Sequence, residues 1–193
     1  MNNKTGPINK LKKFWKFLQE DSWESLVAFF VVAIIVIKFI FFPLLAVITG
    51  TQLPLVIVES CSMYHDEKGM DNIIQKNFYM QNKITYDQTR SWDFKDGLNK
   101  GDVVFAVGTS NIEKGDVIIF NGGTNHPIIH RLINENEPFS TYGDNNPGQL
   151  TIEKQISQNQ LIGKAVFKIP YIGWIKLIFF EGSREPSQRG LCS

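Results

Sequence analysis

The sequence predicts a mostly β, antiparallel domain carried on an N-terminal transmembrane helix, and three observations lead there. Residues 26–49 form one long apolar run, interrupted only by Lys38 and Pro43. From Gly50 onward the apolar residues fall into short, β-branched runs separated by Gly, Asn and Asp, which is the pattern of strands joined by turns. Finally, Lys100-Gly101-Asp102-Val103 is echoed by Lys114-Gly115-Asp116-Val117, two tight turns that each feed an apolar strand.

A chain of 193 residues is long enough for one domain with an appended segment. Its net charge of +1 points to no partner, and nothing in it favours nucleic acid. The distribution of charge is more informative. Residues 1–19 hold five lysines (Lys4, Lys10, Lys12, Lys13 and Lys16) and no acid, whereas residues 50–193 hold 14 basic and 16 acidic side chains. Residues 1–24 therefore read as a basic, amphipathic segment, with Trp15 and Trp23 suited to a membrane interface.

Residues 25–49 read as the anchor. At about 1.5 Å per residue they cross a hydrocarbon core of about 30 Å. The run exceeds the h-region of a cleaved leader, about 7–15 residues, and no small-x-small site follows it, so an uncleaved anchor is expected. Lysines before it place the N-terminus in the cytoplasm and the rest outside, in a single-pass cell-membrane protein. Lys38 is expected to snorkel, to pair, or to mark the end of the spanning helix, and Pro43 to disturb its second half.

Residues 50–180 read as the extracytoplasmic domain, with strands at 55–59, 102–107, 116–121, 128–134, 139–142 and 161–168. Residues 64–100 are rich in Asn, Gln, Asp and Lys, and are expected to be an insertion of low order, with a strand near 78–80. Asp102 and Asp116 are expected to be turn formers. The apolar run before Phe180 is too short to span a bilayer, so it packs on the domain or rests in the interface. Residues 181–193 read as a flexible polar tail.

No cofactor or metal site is expected. His126 and His130 are four apart, but Pro127 and the branched Ile128-Ile129 pair argue for a strand, and no third ligand is evident. Cys61 and Cys192 imply no disulfide framework.

Three stretches carry candidate chemistry: Ser60-Cys61-Ser62-Met63 after the first strand, Pro127-Ile128-Ile129-His130-Arg131, and Gly143-Asp144-Asn145-Asn146. A serine hydroxyl needs a base to take its proton and a group to orient that base. Ser62, His130 and Asp144 could supply these roles.

In these stretches, their order, the paired Gly-Asp-Val strands and Gly163-Lys164-Ala165-Val166, the chain resembles type I signal peptidases of the archaeal and endoplasmic-reticulum branch. The resemblance covers nearly the whole chain. It implies a membrane-bound serine endopeptidase that removes signal peptides from secreted preproteins on the outer face of the membrane. Its implied partners are those preproteins, the lipid bilayer and the secretion translocon.

Ser62 would then be the acylating nucleophile, and Ser60 with the Ser62 amide the oxyanion hole. His130 stands where the bacterial branch has a lysine, and would be the base oriented by Asp144. The substrate would lie along Leu55, Val56, Ile57, Val58 and Glu59 as an added strand. Arg131 reads as structural.

The chain departs from the family at three points. Cys61 replaces a glycine and is an alternative nucleophile. Leu150 replaces a second acidic residue, whose role Glu153 could take after a loop shift. Tyr64-His65-Asp66 replaces an acidic residue and proline, which makes His65 a rival imidazole, expected on a surface turn. The alternative to an enzyme is a catalytically decayed, membrane-anchored peptide-binding protein of the same fold.

Overall fold

A computed structural model describes residues 6–192, so Lys4 of the basic stretch and Ser193 of the tail lie outside the described residues. The chain divides into two compact units, one running to Ile48 and the other starting at Thr49.

The first unit is helical. Helix α1 (Pro7–Phe17) begins on a proline, whose fixed φ suits a first turn. Helix α2 (Trp23–Val36) is capped by Ser22, whose hydroxyl accepts the Ser25 amide at 3.2 Å. A π-helical turn (Ile37–Phe41) carries α2 into α3 (Phe42–Thr49). That turn has a cause in the sequence: Pro43 lacks an N–H, and its ring would crowd the carbonyl four residues back, at Phe39. The wider turn accommodates the ring, with the Phe42 amide donating to the Ile37 carbonyl. The helix thus continues through both Lys38 and Pro43, and Trp23–Thr49 is long and apolar enough to cross a membrane.

The second unit is built on six antiparallel strands: β1 (Leu55–Ile57), β2 (Val103–Val107), β3 (Val117–Phe120), β4 (Ile128–Asn134), β5 (Ser140–Tyr142) and β6 (Leu161–Ile169). Their order in the sheet is β1-β2-β6-β3-β4-β5. All six fall where the sequence predicts strands. Strand makes up 19% and helix 35%, however, so the sheet is the framework of this unit while the chain as a whole is not mostly strand.

The two Gly-Asp turns organise the sheet alike. Asp102 accepts the Asn99 amide at 2.9 Å and lies 3.4 Å from Lys168 Nζ, while Asp116 accepts the Glu113 amide at 2.8 Å and lies 2.7 Å from Lys164 Nζ. Both are turn formers that also bind lysines of β6. Gly101 and Gly115 have φ of +93° and +103°, and each lies under an indole, of Trp174 and Trp92 respectively. A Cβ at either glycine would meet its ring at 2.1 Å.

Strand β3 explains an apolar run that does not alternate. Val117 and Ile119 face a core with Val56, Val58, Met63 and Leu98, while Ile118 and Phe120 face another with Leu132, Phe139 and Ile156. Successive side chains point to opposite faces, and here both faces are covered.

Three expectations are corrected. Residues 64–100 contain short helices α4 (Met70–Ile73), α5 (Asn77–Gln81) and α6 (Tyr86–Thr89), and contribute a core of their own around Met70, Ile73, Tyr79 and Trp92. Residues 78–80 are helical because that turn stacks Phe78 on Tyr142, with ring centroids 3.8 Å apart, and buries Tyr79. The tail is held as well: a disulfide joins Cys61 to Cys192, and buried Lys100 donates to Glu181 at 2.9 Å and to the Gln188 carbonyl at 2.6 Å. Between β6 and the tail, α7 (Trp174–Leu177) buries Leu177 but leaves Ile175 exposed, and Ile178 and Phe179 in the turn after it are exposed as well.

Replacing Gly115 by Ala is expected to cost on the order of 2 kcal/mol, because it combines a positive φ with a clash against Trp92. Chemical unfolding of the full chain in detergent checks this, with Gly123→Ala as the comparison, since Gly123 also has a positive φ but open space around it.

Candidate active site

Ser62 lies in the turn that follows β1, and Met63 beside it is buried in the core. That turn is held from the residue 143–146 stretch. The Asn145 amide donates to the Ser62 carbonyl at 2.7 Å, and Asn145 Nδ2 donates to the Cys61 carbonyl at 3.1 Å. Lys76 Nζ in turn donates to Asn145 Oδ1 at 2.7 Å. The Ser62 turn is thereby tied to a loop distant in sequence.

His130 lies on β4, paired with Ile118 of β3, and its Nε2 is 2.9 Å from Ser62 Oγ. Its Nδ1 bonds Glu153 Oε1. A carboxylate partner makes Nδ1 the donor, and in the neutral imidazole this leaves the Nε2 lone pair facing the serine hydroxyl. Glu153 is fully buried, in a 3-10 turn (Thr151–Glu153), and its Oε2 accepts the Leu150 amide at 2.7 Å. This local bond holds the carboxylate whose other oxygen meets the imidazole. Ser60 Oγ lies 3.0 Å from Ser62 Oγ. Gly143 leaves room for the ring: a Cβ there would meet His130 Nε2 at 2.8 Å.

Strand alternation sends Arg131 the other way, into a buried ionic cluster with Asp144. Arg131 Nε and Nη2 donate to Asp144 Oδ2 at 2.9 and 2.7 Å, and Nη1 donates to the carbonyls of Gly115 at 2.8 Å and Asp93 at 2.9 Å. His65 Nε2 meets Asp144 Oδ2 at 2.8 Å and His65 Nδ1 meets the Lys95 carbonyl at 2.7 Å. Tyr79 donates to Asp144 Oδ1.

Burial alone would raise the Asp144 pKa, but the Arg131 charge and hydrogen bonds from His65 and Arg131 hold it well below the usual carboxylate range. Burial first, then the Asp144 charge, push the Tyr79 phenol well above its ordinary value, which keeps it a neutral donor.

Ser62 and His130 are thus brought together as the sequence suggests, but the carboxylate on the imidazole is Glu153 and not Asp144. Asp144 is committed to Arg131, His65 and Tyr79. His65 is no rival base either, being buried with both ring nitrogens on oxygen partners rather than on a surface turn. Cys61 is in the disulfide, so it offers no thiol. His126 is exposed, with Nδ1 3.9 Å from Glu59 Oε2, and lines the same cleft as His130. No family model matches the chain, and no curated protein matches it.

In front of Ser62 lies a cleft of about 660 Å³, lined by residues 55–59, by Pro127 to His130, and by Pro147 and Leu150. Strand β1 is an edge of the sheet. The Val58 amide donates to Asp102, the Ala106 amide donates to Pro54, and Val56 opposes Val104, so the even-numbered residues use their backbone groups against β2. Antiparallel pairing then turns the N–H and C=O groups of Leu55 and Ile57 toward the open edge.

Asp144→Asn is expected to destabilise the full chain by roughly 3–5 kcal/mol, since it leaves the buried Arg131 charge unpaired. The folded-state pKa of Asp144 is depressed, so its contribution is complete above the unfolded value of about 3.9 and is lost as pH falls below it. Unfolding of wild type in detergent should therefore ease on acidification below about pH 4, with a flatter response in Asp144→Asn.

Proposed function

We propose that the chain is a membrane-anchored serine endopeptidase that removes N-terminal signal peptides from secreted preproteins, working from the extracytoplasmic face of the cell membrane. The observation that carries this reading is the hydrogen-bonded series Ser62–His130–Glu153 opening on a cleft beside the edge strand β1. An extended peptide pairs with the outward backbone groups of Leu55 and Ile57, in an apolar groove formed with Ile128, Ile129 and Pro147. Small side chains next to the cut suit such a groove, because large ones would overlap its walls.

His130 Nε2 takes the Ser62 proton as Oγ attacks the scissile carbonyl carbon. Charge develops on the carbonyl oxygen, and the Ser62 N–H with the Ser60 hydroxyl stabilises it. Collapse breaks the C–N bond, and His130 returns its proton to the leaving amine. The signal peptide remains as an ester on Ser62, which water hydrolyses with His130 again as base. Glu153 holds the imidazole in the required tautomer and stabilises its charged form.

The reading is supported further by an apolar helix, Trp23–Thr49, directly before β1, and by the lysines ahead of it, which favour a cytoplasmic N-terminus. The lipid bilayer and the translocon that delivers preproteins are the partners this layout suits.

Ser62→Ala and His130→Ala are expected to abolish cleavage of a fluorescent peptide with an Ala-x-Ala site by the detergent-solubilised full chain. Glu153→Gln is expected to lower kcat by roughly 10²–10⁴-fold with KM little changed, as for loss of the orienting carboxylate elsewhere. Full activity in Ser62→Ala, or no cleavage by wild type, would refute the assignment.

A further inference from the structure

The cleft has a charged end that the proposed chemistry does not use. Apart from histidines, the charged side chains lining it are Glu59, Lys176 and Arg184. Arg184 belongs to the C-terminal segment, beyond α7. Its Nη2 donates to Glu59 Oε2 at 2.9 Å and its Nη1 donates to the Glu59 carbonyl at 3.1 Å.

That carbonyl lies two residues beyond the end of β1, on the same wall of the cleft. A peptide pairing along Leu55 and Ile57 would reach it next, and finds it taken by the guanidinium. The guanidinium and its ion pair with Glu59 fill the space in front of that carbonyl, so a pairing strand would meet Arg184 there.

The segment that carries Arg184 is itself fixed. Lys100 binds Glu181 and the Gln188 carbonyl, and Arg189 donates to the Arg184 carbonyl at 2.8 Å and to the Gly182 carbonyl at 2.9 Å. Its far end is the disulfide from Cys192 to Cys61, the residue between Ser60 and Ser62. Residues 59–62 are therefore held at two points by the same segment, through Glu59 and through Cys61.

We propose that the C-terminal segment is the end-stop of the substrate cleft: Arg184 terminates strand addition at Glu59, and the Cys61–Cys192 disulfide keeps it in register with Ser62. The inference rests on the reading of the β1 edge as the peptide track. Arg184 is a positioning residue, since it acts through the Glu59 backbone. The device is also open to reduction, because both cysteines are partly exposed. A dithiol supplies two electrons and two protons, leaving two protein thiols and its own disulfide, and the segment loses its far anchor.

Binding and cleavage are measured separately on the full chain in detergent. Binding is read as the Kd of a fluorescent Ala-x-Ala peptide for the Ser62→Ala protein, which cannot turn it over. Because Arg184 holds the Glu59 backbone and carboxylate that form the end of the track, adding Arg184→Ala should loosen that end and weaken binding about tenfold, with partial recovery in Arg184→Lys, and the Cys61→Ala/Cys192→Ala pair should weaken it in the same direction. Dithiothreitol should weaken binding to the disulfide-containing protein and leave the double alanine variant unchanged.

In the Ser62-containing protein, Arg184→Ala should raise KM about tenfold with kcat unchanged. A Kd within twofold for Arg184→Ala, or for the folded double alanine variant should Arg184→Ala not fold, overturns the end-stop. If peptide binds with this Arg184 dependence but wild type cuts nothing, the end-stop stands and the peptidase reading fails. Cleavage by wild type with no Arg184 effect on KM has the opposite meaning, and absence of peptide binding overturns both.

Discussion

Arg131 and Asp144 form a fully buried ion pair that brings together parts of the chain otherwise far apart. Two charges removed from water are tolerated only when their remaining hydrogen-bonding groups are satisfied, and here they are met by His65, Tyr79 and the carbonyls of residues 93, 94 and 115. Residues 64–100 are thereby fastened to β4, to the turn before β3 and to the residue 143–146 loop. Because Arg131 points into this cluster, strand alternation sends His130 to the opposite side, against Ser62 and Glu153. Asn145, next to Asp144, then grips the Ser62 turn.

This division of labour between neighbouring residues explains what was legible in the sequence. All six strands were, since β-branched runs between Gly-Asp turns impose extended backbone locally. Ser62 and His130 were legible from the stretches around them. The partner of His130 was not, because Asp144 and Glu153 both follow β5 and only the path of the intervening loop decides which carboxylate reaches Nδ1. A local signal did exist: Glu153 stands three residues after Leu150, the spacing at which a glutamate side chain accepts the amide that opens a helical turn.

Residues 64–100 were illegible for a different reason. Helices of four or five residues are too short for an apolar period to emerge, and Met70, Ile73, Tyr79 and Trp92 become a core only when Tyr142 of β5 meets them. The tail likewise looks polar and free in one dimension. Its order comes from Lys100, Glu59 and Cys61, none of which is near it in sequence.

Acylation of Ser62 through His130 and Glu153 is the central step of the proposed function. The direct measurement is intact-mass and peptide-map analysis of the full chain, acid-quenched during turnover of an Ala-x-Ala peptide. An adduct with the mass of the N-terminal fragment on the peptide containing Ser62, absent in His130→Ala and much reduced in Glu153→Gln, is the predicted result. Cleavage without an adduct in any quench interval, or an adduct on another residue, would contradict it.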